Sequence, residues 1–489
     1  MTPLKRLKNG PKVALKLNID MISFLLNHQL IHTDHPAGST LLDFVRYHKR
    51  LTGTKIGCRE GDCGACTLLV GDFEDGKLVY RSVTSCIMPL GNVNGRHVVT
   101  VEGINVEGLS PVQAAMVATN GTQCGFCTVG FVMSLTGFMM SAHKPTVEEA
   151  ITAIDGNICR CTGYKSIERA VASITETVLT LNEEDRLVEM AEKGYLPLYF
   201  AQIKTRLMAL QMELAEKYRG IPEDHNVVLG GGTDLLVQRP ENVRESKPRL
   251  VAREMDLQGI WMENGRCYLG ASTTATQIAT SEVMKKYLPS LPKVIRLVSS
   301  TQIRNKATLA GNIVNASPIG DFSIFFMGLD ADVHLSTRSG RARTVPLRDF
   351  YIGYKQLAKR PEEHLTAISF RPPSPHTHVN FEKVCKRTHL DIASVNSACS
   401  IQTDESGKIT KIHLSAGGVA PYPKYLSETC QFLTGKIVDE ALFVAANEIL
   451  QKEIAPISDV RGTAEYKRLL ARQLFFAHFQ AAFPEIRFV

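Results

Sequence analysis

No run of about 18 apolar residues occurs in the 489-residue chain, and the best candidate, FVMSLTGFMM at 131–140, is too short to span a bilayer. A membrane-spanning helix is excluded on this reading, and a soluble, cytoplasmic protein with no membrane partner is expected. Acidic residues are missing from the first 19 positions, MTPLKRLKNGPKVALKLNI, which carry five Lys or Arg. The apolar core and small-residue cleavage site of a secretory signal are missing there too, so residues 1–19 are expected to be a disordered basic extension. The chain also lacks any Lys/Arg cluster with interleaved aromatics, so the formal net charge of +7 is weak evidence for nucleic acid. Cysteine, with twelve residues, is too sparse for a disulfide scaffold.

The cysteines present are unevenly spread, with eight of the twelve between positions 58 and 161. Such clustering without a secretion signal points to metal in a reducing compartment, and metal-bound thiolates would remove much of the positive charge. A chain of this length holds about three or four domains. Residues 20–105 read as short strands and turns around one helix-like stretch, STLLDFVRYHKR, with an EDG hairpin signal at 74–76. Residues 106–181 read as a helical bundle, in which Ser110-Pro111-Val112-Gln113 and Thr146-Val147-Glu148-Glu149 fit the capping box. Residues 182–200 read as an exposed, charged connection. Residues 201–376 begin with a helix and continue in strands and glycine turns, and 377–489 mix strands with two late helices.

Cys58, Cys63 and Cys66 stand in a C-x4-C-x2-C spacing within GCREGDCGAC, and Cys86 follows after nineteen intervening residues. This is the plant-type arrangement for a [2Fe-2S] cluster. Gly57, Gly61 and Gly64 give the loop the freedom to turn backbone N–H groups toward sulfur. Structural zinc is the alternative, although zinc sites favour paired C-x2-C knuckles. Cys124 and Cys127 in QCGFC fall between the first two helices of the bundle. Cys159 and Cys161 in CRC fall between the third and fourth, after thirty-one intervening residues. Loops at one end of an antiparallel bundle meet, so these four can share a site. Alone they suit zinc or a redox dithiol as well as a cluster; beside a ferredoxin set they read as a second [2Fe-2S] site.

The ordered combination GCREGDCGACT, QCGFCTVGFVMS and GNICRCTGY resembles the iron–sulfur half of the molybdenum hydroxylases, the xanthine dehydrogenase and aldehyde oxidase family. By that resemblance Gln123 would contact a molybdopterin on a partner chain. One departure is visible: the family usually has proline after the threonine that follows CGFC, and here Thr128 is followed by Val129, which affects the rigidity of the loop and not its ligands.

In the flavin half, VVLGGGTDLL at 227–236 lacks the G-x-G-x-x-G spacing and alone reads as a plain turn. With STQIRNKATLAGNIVNASPIGD at 300–321 it resembles the FAD domain of the same family. The resemblance assigns FAD phosphate and ribityl binding to Val228, Leu229, Gly230, Gly231, Gly232, Thr233, Asp234 and Leu235. It assigns further FAD contacts to Thr308, Leu309, Ala310, Gly311, Asn312 and Asp321, and flavin-ring contacts to Leu365 and Lys383. For Lys383 the alternative is a solvated lysine in a basic stretch. Cys267, Cys385, Cys399 and Cys430 share no ligand spacing and read as buried small residues.

The implied fold is an α+β multidomain chain. It comprises a β-grasp plant-type ferredoxin domain, a four-helix [2Fe-2S] bundle, a two-part FAD-binding domain of the vanillyl-alcohol-oxidase/PCMH type, and a C-terminal α/β domain like that of CO dehydrogenase flavoproteins. The implied role is electron transfer from a molybdopterin-binding large subunit, in an α2β2 heterotetramer, through two [2Fe-2S] clusters and FAD to NAD, with the substrate site on the partner. Xanthine is the expected substrate. An aldehyde or N-heterocycle, or a non-catalytic redox-sensing role, are the alternatives. KRTHLD at 386–391 offers one acid, Asp391, fewer than expected of NAD-using relatives.

Overall fold

The computed structural model describes residues 21–143, 145–216, 227–387 and 389–486; the basic stretch 1–19 lies outside the described residues. The chain forms two compact units. One comprises residues 1–255 with 301–305, the other 256–300 with 306–489.

The first unit opens with the antiparallel hairpin Ile22–Leu26 and Gln29–Thr33. Ile22–Leu26 then pairs in parallel with His97–Val99, which pairs antiparallel with Thr67–Glu74, and Lys77–Thr84 closes the five-stranded sheet. All five residues of Ile22–Leu26 are buried. Both faces of this strand are covered: Phe24 points into the sheet's own core, while Leu25 meets Ile203, Leu207 and Leu210 of helix Phe200–Glu216. Asp75 and Gly76, at φ +48° and +80°, form the two-residue turn between Glu74 and Lys77, the geometry whose twist matches paired strands. The helix expected around residues 39–50 is short: Leu41–Asp43 is capped by Thr40 and widens into a π-type turn over Phe44–His48.

The bundle helices are Pro111–Ala118, Thr128–Ser141, Val147–Ala153 and Lys165–Leu179. Ser110 and Gln113 form the full reciprocal capping box. At Thr146 only half of it forms, its side chain accepting from Glu149 N at 3.1 Å. Every residue from Gly130 to Met140 is buried, so the most apolar stretch of the sequence is a core helix enclosed by protein. The stretch 182–200, read above as an exposed connection, instead carries helix Arg186–Glu192 and buries Met190, Ala191, Leu196 and Phe200 in the core shared with the bundle. Its acids sit on one side of an amphipathic turn and hide the apolar positions from a charge count.

Residues 201–376, read as one flavin domain, fall into both units. The parallel pair Val227–Leu229 and Pro248–Leu250 belongs to the first. There Arg253 ties it to the ferredoxin sheet by donating to Asn94 O (2.5 Å) and Asp72 Oδ1 (3.3 Å).

The second unit holds two antiparallel sheets. One runs in the order Ala342–Pro346, Asp332–Thr337, Glu363–Phe370, Arg266–Gly270, Ile260–Glu263. The other runs Thr377–Val384, Val395–Thr403, Ile409–Gly417, Lys424–Tyr425. Helices Ser427–Leu433, Glu440–Glu453 and Ala464–Ala482 follow in sequence and share a core with the second sheet through Leu433, Phe443, Leu450, Leu474, Phe475 and Phe479. The α+β multidomain class expected from the sequence is the one observed. Among the described residues no helix is long and apolar enough to cross a membrane.

Candidate functional site

Cys58, Cys63 and Cys66 lie on the loop that leads into strand Thr67–Glu74, and Cys86 sits in a tight turn, Ser85–Ile87, just past Lys77–Thr84. Ser85 joins the two strand ends, donating both its N–H (3.3 Å) and its hydroxyl (2.7 Å) to Cys66 O. Backbone N–H groups point at sulfur: Cys58 N at Cys63 Sγ (3.4 Å) and Glu60 N at Cys58 Sγ (3.4 Å). A Cβ on Gly57 would stand 2.5 Å from Cys63 Sγ, so glycine there is what admits the thiol. Cys66 and Cys86 are buried, whereas Cys58 and Cys63 are half-buried. The hydrogen bond between Cys58 and Cys63 drives Cys58 far below the ordinary thiol range and Cys63 far above it.

In the bundle, Cys127 stands just before helix Thr128–Ser141. Cys124 Sγ and Cys161 Sγ are 3.7 Å apart, and Cys127 is hydrogen-bonded to Cys159. The thiols thus meet in pairs, and among the described residues no group of three or more His, Cys, Asp or Glu closes on a single ion. Two thiolates per iron is the requirement of a [2Fe-2S] cluster. Burial, then the bond with Cys159, pushes Cys127 up to about 12. Burial also opposes ionisation of Cys159, but the Thr162 hydroxyl (3.1 Å) and amide (3.5 Å) donate to its sulfur and bring it below the ordinary value. Sulfurs this close cannot all be anionic without a cation among them, which iron would supply when bound. Tyr164, in the left-handed region at φ +67°, turns its hydroxyl to accept from Cys159 N at 3.0 Å. The sequence reading did not single out Tyr164. Helix Thr128–Ser141 starts where it does with Val129 in its first turn, so proline is not needed to begin it. Gln123 is exposed beside Cys124.

The two thiol loops touch. Ile158 N donates to Cys63 O at 3.0 Å, linking a thiol residue of one set to the neighbour of Cys159 in the other. Gly64, at φ +69°, makes this approach feasible, because a Cβ there would lie 2.4 Å from Gly156 O.

Within 228–235, residues 230–234 form a glycine turn between strand Val227–Leu229 and the short helix Leu235–Gln238, in the first unit. Asn92 Nδ2 donates to Gly230 O at 2.7 Å, and Gly232, at φ +79°, passes so close to Pro89 that a Cβ would stand 2.8 Å from its ring. Leu229 and Leu236 pack in one cluster with Cys66, Cys86 and Ile87. Thr233, Asp234 and Leu235 are half-buried and Val228 is exposed. Backbone approach of this kind is what a pyrophosphate requires.

Within the second unit, Thr308 caps the short helix Leu309–Val314 by accepting from Gly311 N, and Ala310 N donates to Ala271 O. Ala271 N in turn bonds Thr366 O, which places Leu365, buried on strand Glu363–Phe370, beside that turn. Asn312 Oδ1 is buried without a hydrogen-bond partner among the described residues, an orphan acceptor that suits a bound polar ligand. Lys383 is not the solvated lysine of the alternative reading. Its side chain is 1% exposed and donates to Asp321 Oδ2 (2.8 Å) and Leu297 O (2.7 Å). Asn396, which the sequence reading did not single out, completes the node by donating to Asp321 Oδ1 at 2.7 Å. Of the four other cysteines, Cys267, Cys399 and Cys430 are buried, but Cys385 is only half-buried and donates to Arg387 O; it lies just past the end of strand Thr377–Val384.

Two all-thiol sites beside a glycine-turn fold define an iron–sulfur flavoprotein. Family models match along nearly the whole chain: a 2Fe-2S iron–sulfur cluster binding domain at 24–90, a [2Fe-2S] binding domain at 100–172, the FAD binding domain in molybdopterin dehydrogenase at 206–373, and the CO dehydrogenase flavoprotein C-terminal domain at 381–482. Xanthine dehydrogenase of Blastobotrys adeninivorans is 26% identical over 95% of this chain and 41% of the relative. Xanthine dehydrogenase 1 of Arabidopsis thaliana is 28% identical over 91% and 38%. The chain therefore spans about two fifths of the length of the curated relatives it matches. A carbon monoxide dehydrogenase structure from Hydrogenophaga pseudoflava is 25% identical with a TM-score of 0.50, covering 53% of this chain and 90% of that one. The chain belongs to the molybdenum hydroxylase family, as an iron–sulfur and FAD-binding electron-transfer component.

Proposed function

We propose that the chain takes electrons from a molybdopterin-bearing partner polypeptide, through the bundle site, the ferredoxin site and FAD, to NAD, and that the substrate of the complex is xanthine. When bound, two [2Fe-2S] clusters supply one-electron steps and FAD a two-electron store that can release hydride. The eight thiols Cys58, Cys63, Cys66, Cys86, Cys124, Cys127, Cys159 and Cys161 would hold the clusters. Residues 228–235, with their glycine turn, and the residues Thr308–Asn312, Asp321, Leu365 and Lys383 would hold FAD.

One observation carries the order of carriers: Cys124 and Cys161 are exposed whereas Cys66 and Cys86 are buried. The bundle site is thus open to a partner, and the ferredoxin site lies inward, packed with the glycine turn through Leu229 and Leu236. The Cys63–Ile158 hydrogen bond gives the two sites a short bonded connection. Lys383 Nζ, buried against Asp321 Oδ2 at 2.8 Å, would offer a fixed hydrogen-bond donor to the ring of a bound flavin.

The overall reaction is xanthine, water and NAD⁺ giving urate, NADH and a proton. The relatives named as xanthine dehydrogenases support that substrate. Turnover of the purified complex tests it: urate formed from xanthine with NAD supports the reading, and its absence, with an aldehyde or N-heterocycle turned over instead, replaces the substrate. Asp391, the one acid of KRTHLD, is engaged by Arg387 N and Nε at 2.7 Å each, which favours a direct comparison of NAD with oxygen as acceptor in the same assay.

A further inference from the structure

Residues 301–305 interrupt the second unit in sequence but belong to the first. Their short helix, Thr301–Arg304, presents a fully buried Gln302. Its Nε2 lies 3.0 Å from each of Ala153 O, Ser134 Oγ and Asn157 Oδ1. Ala153 O can only accept, so the nitrogen must face this group of acceptors. Ser134 Oγ donates onward to Asn157 Oδ1 at 2.7 Å. Asn157 Nδ2 then donates to Gly64 O at 3.1 Å, on the loop of the ferredoxin thiols. The next residue along, Ile158, makes the backbone bond to Cys63 O. The Asn157 side chain thus links the two thiol loops, and Gln302 and Ser134 both bond Asn157. The segment itself is held by the Arg304–Asp155 ion pair at 2.5 Å, both side chains 6% exposed, and by Thr301 N on Asp155 Oδ1 at 2.7 Å.

A buried amide is costly unless satisfied, and among the described residues Gln302 Oε1 makes no hydrogen bond. A side chain that served packing alone would be better replaced by an apolar one of similar volume. We propose that Gln302 is a positioning residue for electron passage between the two thiol sites: through Asn157 it holds the Cys63–Ile158 junction at one separation. The inference rests on the reading that both sites carry [2Fe-2S] clusters. Each transfer would oxidise the group held by the bundle thiols by one electron and reduce the group held by the ferredoxin thiols by one, with no bond made or broken.

The test compares the full complex with its Gln302→Met counterpart, reduced with dithionite for the EPR spectra and oxidised before the electron pulse. Iron content, thermal melting, the mutual splitting of the two cluster EPR signals at low temperature, and the rate of electron re-equilibration after a one-electron pulse from reduced methyl viologen are measured. Gln302→Met should keep its iron, alter the splitting and slow re-equilibration about tenfold or more, as misplacement of redox partners does for reacting groups generally. Full iron with unchanged splitting and rate, even with a lower melting temperature, would overturn the proposal. If Gln302→Met does not fold, Ser134→Ala, which removes one bond of the same network, is read in its place: a smaller change in the same direction supports the proposal and no change overturns it. A wild-type complex without two distinct cluster signals overturns the cluster reading itself, and the inference with it.

Discussion

The two thiol sites use the same four side chains on different ground. In the ferredoxin site Cys66 and Cys86 are core residues at the ends of two strands, 1% and 3% exposed and packed with Ile87, Leu229 and Leu236. In the bundle site Cys124 and Cys161 are exposed on loops, and only Cys159 is buried. Ligands that are also core make metal binding part of folding, whereas ligands on loops leave the fold to the helices and put the metal near the surface. The first site is thus enclosed by the core, and the second lies at the surface of the chain.

The most drastic way to break this comparison is to remove the outer site. Cys159→Ser should abolish substrate-driven NADH formation by the complex while sparing FAD content and most NADH-to-dye activity, because only the side facing the partner is cut; equal loss of both activities would contradict the order of carriers. Next comes the tie between the sites. Arg304→Met strands Asp155 as a buried, unpaired carboxylate, and denaturant unfolding should show a loss of about 3–5 kcal/mol. The inner and outer sites should also differ in their weight on the fold. Cys66→Ser should lower the melting temperature clearly, at a cost of about 1–3 kcal/mol for placing a hydroxyl in the core. Cys161→Ser, on an exposed loop, should lose its cluster with little change in melting. Equal destabilisation by the two would erase the distinction between the inner and outer sites.

The smallest effect is a pH dependence confined to the ferredoxin sheet. Burial, first of all, lowers His97 to about 3; its Nε2 donates to Asn27 O at 2.9 Å and its Nδ1 accepts from Tyr80 OH at 2.6 Å. A histidine whose folded value is depressed binds protons more readily when unfolded. Its contribution is therefore intact above an unfolded value of about 6.5 and drains away as pH falls toward the folded one. Melting temperature followed between those limits should fall less steeply in His97→Gln than in the wild type.

How far the sequence carried depends on range. C-x4-C-x2-C, C-x2-C and C-x-C are local spacings, so the thiol sets were readable, as were the Ser110–Gln113 cap and the Asp75–Gly76 turn. Which thiol meets which was not readable, since Cys124 pairs with Cys161 across a loop closure of 37 residues. The helix at Arg186–Glu192 was hidden because its acids resemble a solvated connection until Met190 and Leu196 are seen in the core. The network of Gln302, Ser134 and Asn157 was out of reach for the same reason: the bonds Gln302 makes to Asn157 and Ser134 span 145 and 168 residues of sequence, and no periodicity marks a polar side chain that finds its partners so far away. Lys383 shows the limit from the other side, since a charge run suggests solvent until Asp321 and Leu297 O are found beside it.

The central claim is that one chain holds two all-thiolate iron–sulfur sites of unlike burial. Metal and acid-labile sulfide analysis of the purified protein tests it most directly. About four irons and four sulfides per chain are expected for two [2Fe-2S] clusters; zinc in their place, or half that iron, would contradict it.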